Sequence, residues 1–238
     1  VIEMTKIIGH RGYSGKYPEN TLLSFKRAIA AGAQMVELDV RLSKDEELVV
    51  LHDLDLQRTT TGQGPVDSYT FEELQKFNAA KLYPGIFEPI PALGEVLALT
   101  NGKIQVNIEL KEVARHKKLL ELLALELEKW GDPSQFLISA FEHDALKEFK
   151  RIAPQYETAI LYGDEADPIG KAKAVGASVL HPSFEKIDGE GIKAAQKEGL
   201  MVNVWTVNDK DTMKRFLEWG VDGIITDFPN KLVALKGV

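Results

Sequence analysis

His10 and Arg11 stand side by side in HRGYSGKYPENT, residues 10–21, a glycine-bearing loop that follows a short apolar run. An imidazole beside a guanidinium can hold a phosphate ester and move a proton at it, since imidazole titrates near neutral pH and guanidinium forms paired bonds to anionic oxygens. Related chemistry recurs at the ends of later apolar runs. VELDV sets Glu37 and Asp39 two residues apart, LVVLHD brings in His52, and NIELK carries Glu109 and Lys111.

Glu37, Asp39 and Glu109 lie within or at the ends of otherwise apolar strands, where an unpaired buried carboxylate costs several kcal/mol. They need a cation. Glu37 and Asp39 share a face by the two-residue strand period, and Glu109 reaches the same mouth if its strand is the neighbour. Three carboxylates with water and a phosphate oxygen suit Mg2+, Ca2+ or Mn2+. The same acids could instead pair with Lys111, Arg11 and Arg41 in a salt-bridge network. A lone strand-end histidine is more often a hydrogen-bonded structural residue, whereas His10 and His52 beside three acids fit an acid–base pair. Residue types do not fix which histidine gives and which takes the proton. Arg11 can grip phosphate through two parallel bonds and Lys111 can add a point charge, although either could equally balance the acids.

These groups need elements to position them. Short apolar runs at 6–9, 35–40, 104–109, 136–140, 158–161, 178–180, 201–206 and 223–226 alternate with longer amphipathic stretches, the pattern of buried parallel strands joined by helices. Gly32, Gly176, Gly199 and Gly220 each close a helix just before a strand. Eight such units predict an α/β fold, a (β/α)8 TIM barrel with its site at the carboxyl ends of the strands. A doubly wound open sheet lacks the expected GxGxxG after the first strand.

LVVLHD falls outside that count. Only RLSKDE separates it from VELDV, too short for a helical crossover, so a hairpin is expected, with Asp45 and Glu46 as its turn and His52 opposite Asp39. A departure from the repeat follows at 53–90, after the second barrel strand, with turn residues and one short helix that Thr70 and Glu73 start as a capping box. IPALGEVLAL then begins the helix leading to NIELK. Glu19 and Asn20 are expected to hold the first loop and cap a helix at 21–31. His116 and His143 read as exposed helix residues. His181, closing SVLHPS, reads as either pocket lining or structure, and Trp205 with Phe141 could form an apolar wall at the mouth or belong to the core.

With 238 residues, 44% of them apolar, the chain can bury a full core and reads as one domain over 1–238. Its net charge of −7 argues against general affinity for nucleic acid or anionic lipid. Cysteine is absent, which removes disulfides and thiolate metal sites and leaves hard cations or zinc. No run approaches the roughly 20 apolar residues of a membrane span, and VIEMTKIIGH lacks signal-peptide features, so a cytoplasmic location without stable membrane association is expected. Val1 to Glu3 precede the first methionine and read as a remnant or a processed end. Nothing in the sequence points to an oligomeric state.

In order and spacing, HRGYSGKYPENT, VELDV, LVVLHD and NIELK closely resemble the glycerophosphodiester phosphodiesterase family, part of the phosphatidylinositol-specific phospholipase C-like superfamily. The match runs from about Ile7 to Lys111, with weaker echoes to Asp227. The resemblance implies a barrel in which 53–90 is a small lid-like insertion that caps the mouth, and one divalent cation, Mg2+ or Ca2+ with Mn2+ as an alternative, on Glu37, Asp39 and Glu109. It also implies His10 as proton acceptor and His52 as proton donor, acting on a small glycerophosphodiester such as glycerophosphocholine or glycerophosphoethanolamine. The products would be sn-glycerol 3-phosphate and an alcohol, with either water or the glycerol 2-OH attacking. Two rivals stand beside this reading. A lysophospholipase D would need an apolar groove, for which the insertion offers Phe71, Leu74, Phe77, Leu82, Tyr83, Ile86 and Phe87. A non-catalytic phosphoester-binding module would be expected to have lost one of the five acid–base or metal positions, and all five are filled.

Overall fold

The structure, a computed structural model, describes residues 4–238; Val1 to Glu3, and with them the question of a processed end, lie outside the described residues. The chain runs β1 (Lys6–His10), α1 (Leu22–Ala30), β2 (Met35–Leu42), β3 (Leu48–Val50), α2 (Phe71–Leu74), α3 (Leu93–Thr100) and β4 (Gln105–Leu110). It continues α4 (Lys118–Glu128), β5 (Phe136–Ala140), α5 (His143–Ile152), β6 (Glu157–Tyr162), α6 (Pro168–Val175) and β7 (Val179–Pro182). The last elements are α7 (Gly189–Lys197), β8 (Met201–Val204), α8 (Lys210–Glu218), β9 (Gly223–Thr226) and α9 (Pro229–Lys236). Among the described residues, β1, β2 and β4 to β9 are parallel, and the β1–β2 and β1–β9 pairings close them into the eight-stranded barrel that the sequence predicts. Gly176 ends α6 at φ +74°, the left-handed cap a side chain would strain, and Gly32, Gly199 and Gly220 end their helices in the same way.

The strands are buried on both faces, as in β2, where all eight residues of MVELDVRL are buried. Val36, Leu38 and Val40 belong to the main core that joins strands to helices, together with Phe25, Leu93 and Leu123. A smaller, separate cluster of Ile8, Met35, Leu137, Ala159, Val179 and Ile225 fills the barrel interior. Side chains on one face repeat every two residues, so the positions two beyond Ile8, Met35, Leu137 and Val179 are His10, Glu37, Ser139 and His181. An apolar floor thus gives way to a polar layer toward the carboxyl ends of the strands, where barrel enzymes do their chemistry.

β3 returns antiparallel along β2, as expected of the hairpin, but one residue out of the expected register. Val40 faces Val50 and Arg41 faces Val49, so Leu51 rather than His52 lies opposite Asp39, its N–H donating to the Asp39 carbonyl at 3.0 Å. The turn has three residues instead of two, closed by Ser43 N–H on the Glu47 carbonyl at 3.0 Å, with Glu46 at φ +63°. The Ser43 hydroxyl favours the longer turn, because it donates to Asp45 Oδ1 at 2.6 Å and accepts from Glu47 N–H at 2.9 Å. One added turn residue moves every later pairing by one.

Within 53–90, the capping box of Thr70 and Glu73 starts α2. Leu56, Val66, Leu74, Ala79 and Ile90 bury against Val49 and Leu51 in a small core continuous with β3. Phe71 and Phe77 pack on that core, while Leu82 and Phe87 stay 65% and 60% exposed. Among the described residues, no helix is long and apolar enough to cross a membrane.

Candidate active site

At the end of β1 the chain turns through Arg11 at φ +52° and Gly12 at φ +87°. A Cβ on residue 12 would come within 2.4 Å of the Ser24 hydroxyl in α1, so only glycine fits. The turn aims the Arg11 N–H at Glu37 Oε2, 3.0 Å away, and lays Arg11 Nε 3.4 Å from Asp39 Oδ2. Thr21, not Asn20, caps α1, its hydroxyl accepting from Ser24 N–H. Asn20 sits at φ +56° and donates instead to Asp39 Oδ2 at 2.9 Å. Glu19 does hold the loop, by accepting from Arg11 Nη1 at 3.0 Å.

Parallel pairing sets Glu37 beside Asn107 and Asp39 beside Glu109 on β4, and one oxygen from each of Glu37, Asp39 and Glu109 falls within 4.8 Å of the others. Their exposure is 4%, 0% and 7%. Burial lifts Glu37 well above the ordinary carboxylate range, and the charges of Asp39 and Glu109 push it further. Glu109 rises to about 7 through burial and Asp39. Burial also works against an ionised Asp39, but Lys111 and Arg11 more than offset it and bring that group down to about 2. Three acids that repel one another in a dry site have a deficit of positive charge. Lys111 Nζ reaches Glu109 Oε1 at 2.5 Å and Asp39 Oδ1 at 3.3 Å, the second without hydrogen-bond geometry. Arg41 takes no part, since its guanidinium goes to the His52 carbonyl and to Glu112. Among the described residues, Glu37 Oε1, Asp39 Oδ1 and Asn107 Oδ1 are buried without a hydrogen-bond partner. Hard oxygens converging with free lone pairs fit a divalent cation.

Each candidate histidine has a carboxylate behind it. His10 Nδ1 lies 2.6 Å from Asp227 Oδ1, and its Nε2 faces Glu37 Oε2 at 3.9 Å. Asp227 in turn accepts from Ser14 Oγ at 2.9 Å and Asn208 Nδ2 at 2.8 Å. Burial opposes its ionisation, yet the His10, Asn208 and Ser14 bonds hold it at about 2. His52 Nδ1 lies 2.6 Å from Asp53 Oδ1. Burial pulls His52 below the ordinary imidazole value, with Arg11 and Lys111 adding to the effect.

His10, His52, Arg11, Lys111, Glu37 and Glu109 line one cavity of about 140 Å³ at the barrel mouth. Phe141 and Trp205 line it too, their rings edge to face at 5.7 Å, with Trp205 Nε1 donating to the His181 carbonyl at 2.7 Å. His181 is both fully buried and part of this lining. His116 and His143 are bonded rather than exposed, to Asp67 at 2.8 Å and to the Leu161 carbonyl at 2.8 Å. The sequence reading gave no role to Asp227, Asn107, Ser139, Asp53 or Arg58. For Asp227 a signal exists, since GIITD ends an apolar strand on an acid as VELD does.

Residues 10–231 match the Glycerophosphoryl diester phosphodiesterase family. A glycerophosphodiester phosphodiesterase of Caldanaerobacter subterraneus subsp. tengcongensis is 39% identical over 236 residues, covering 97% of this chain and 97% of that one. One from Bacillus altitudinis is 36% identical, with 98% of each chain covered. The fold is similar to that of an Oleispira antarctica phosphodiesterase solved in complex with the product sn-glycerol-3-phosphate. That structure has a TM-score of 0.93 and 27% identity, with 99% of this chain and 98% of the other covered.

Proposed function

This chain belongs to the glycerophosphoryl diester phosphodiesterase family, and on that premise we propose that it hydrolyses small glycerophosphodiesters to sn-glycerol 3-phosphate and an alcohol, with a divalent cation and two histidines. It is an enzyme, a phosphoric diester hydrolase. The observation that carries the finer reading is the set of buried acids with unpartnered oxygens in a cavity shared with His10 and His52.

Glu37, Asp39 and Glu109 would hold the ion, Mg2+, Ca2+ or Mn2+, with Asn107 Oδ1 free alongside. When bound, such a cation polarises a phosphate oxygen and lowers the pKa of an attacking hydroxyl. Arg11 and Lys111 add positive charge where the phosphoryl oxygens gain negative charge. His10 takes the proton of the attacking hydroxyl: Asp227, ionised and able only to accept, keeps a proton on Nδ1 and leaves Nε2 free as the base. His52 gives a proton to the departing alkoxide. Burial lowers its pKa in the free enzyme, while the charge of Asp39 and the bond to Asp53 work toward the imidazolium that can give the proton. Phe141 and Trp205 offer an apolar wall to the glycerol carbons.

Phosphorus NMR of glycerophosphocholine with chelator-treated protein, before and after adding Mg2+, Ca2+ or Mn2+, tests the reading. Glycerol 3-phosphate appearing only with metal is the expected result. Phosphocholine as product, or turnover unchanged by chelation, would refute it.

A further inference from the structure

Arg58 does not line the cavity, yet its guanidinium forks onto two carboxylates at once. Nε donates to Asp53 Oδ2 at 2.6 Å and Nη2 to Asp53 Oδ1 at 3.0 Å, while Nη1 reaches Glu19 Oε2 at 3.1 Å and Nη2 reaches Glu19 Oε1 at 2.8 Å. Each carboxylate passes the contact on to a cavity residue. Asp53 Oδ1 meets His52 Nδ1 at 2.6 Å, and Glu19 Oε1 accepts from Arg11 Nη1 at 3.0 Å. The result is a continuous chain, His52, Asp53, Arg58, Glu19, Arg11, that ties the segment after β3 to the loop after β1.

We propose that Arg58 is a positioning residue for phosphodiester hydrolysis, acting on His52 through Asp53 and on Arg11 through Glu19. The inference rests on the reading of His52 as the group that protonates the leaving alkoxide. Asp53 gives the link its chemical sense. Ionised beside Arg58, it can only accept, so it keeps one proton of the His52 imidazolium on Nδ1; the other sits on Nε2, passes to the leaving oxygen, and leaves a neutral imidazole with its proton still on Nδ1. A single ion pair at a side chain 46% exposed contributes little to stability, and what four bonds to two carboxylates add is fixed geometry. Lysine could keep the charge but not four bonds of fixed geometry, which allows charge and geometry to be separated experimentally.

The test compares the wild type with Arg58→Gln, Arg58→Lys, Asp53→Asn, Glu19→Gln and His52→Ala on two diesters, in whichever of Mg2+, Ca2+ or Mn2+ supports turnover. Glycerophosphocholine releases a basic alkoxide that needs a proton. The p-nitrophenyl diester of glycerol phosphate releases a nitrophenolate that does not. Arg58→Gln and Arg58→Lys are expected to lower kcat on glycerophosphocholine by roughly tenfold or more, and on the nitrophenyl diester by less than about threefold, with KM raised on both. Asp53→Asn should reproduce the kcat part alone and Glu19→Gln the KM part alone, so either keeps the test open if Arg58→Gln does not fold. Equal losses on the two substrates, or full recovery of kcat with lysine, would overturn the proposal. If His52→Ala is itself indifferent to the leaving group, the donor reading has failed and the proposal falls with it. If His52→Ala discriminates and the Arg58 variants do not, only the proposal fails.

Discussion

His10 and His52 each have a carboxylate 2.6 Å from Nδ1, but the two carboxylates are held in different ways. Asp227 comes from the far end of the chain and is fixed by neutral groups, the Ser14 hydroxyl and the Asn208 amide, with its own N–H donating back to Asn208 Oδ1 at 2.9 Å. Asp53 follows His52 directly and is fixed by a half-exposed guanidinium from the insertion. Closure of the barrel, which pairs β1 with β9, therefore builds the first pair, and a surface segment braces the second. Similar dyads can rest on a rigid frame or on a charged strap, and the two supports should fail differently.

Removing either imidazole gives the largest expected effect. His10→Ala and His52→Ala should each lower kcat on glycerophosphocholine by roughly 10²–10⁴. The nitrophenyl diester should recover most of that loss for His52→Ala and little of it for His10→Ala, because only the leaving-group proton becomes dispensable. Recovery by both variants, or by neither, would erase the distinction between acceptor and donor. The next effect down lies in the supports. Asp227→Asn should lower kcat by about 10², since an amide can turn a donor toward His10 Nδ1 and favour the wrong tautomer. It should also destabilise the fold by about 1–3 kcal/mol, as three hydrogen bonds to a largely buried anion are disturbed. Asp53→Asn should cost about tenfold in kcat and at most about 1 kcal/mol in stability, the range of an exposed ion pair. Kinetics together with urea denaturation of both variants would check this, and similar stability losses would mean the two supports are equally structural.

The barrel was legible because its strands are apolar runs bounded by turn residues, and the acids were legible because a carboxylate inside such a run needs a reason. Asp227 ends its strand in the same manner, but its place beside His10 comes from ring closure across 217 positions, which no local pattern encodes. The hairpin register was missed because it turns on one serine hydroxyl stabilising a three-residue loop. Asn20 and Thr21 are both good caps by residue type, and the choice between them was made by backbone geometry: Asn20, at φ +56°, is turned toward Asp39 instead. Arg58 and Glu19 look like ordinary loop charges until folding brings them, 39 residues apart, onto each other.

His181 supplies an imidazole of the same cavity without a carboxylate support, and with it the smallest expected effect on turnover. Asn203 Nδ2 meets its Nε2 at 3.0 Å, and Nδ1 is buried without a hydrogen-bond partner among the described residues. Burial alone therefore brings His181 down to about 3, whereas at His52 the burial that lowers the imidazole is opposed by the bond to Asp53. The sign follows from proton counting. Between about pH 6.5, the value in an unfolded chain, and about 3 in the fold, the unfolded state binds a proton that the folded state refuses, so stability falls as pH falls through that window. The slope from this one group is up to about 1.4 kcal/mol per pH unit. His181→Gln removes it, so the stability of the variant relative to wild type should improve by up to about 3 kcal/mol between pH 6.5 and pH 4, whatever its standing at neutral pH. Urea denaturation of both proteins across that range measures the difference. Parallel curves would mean that the fold accepts a proton on His181, and the contrast between a supported and an unsupported imidazole would then not hold in this cavity.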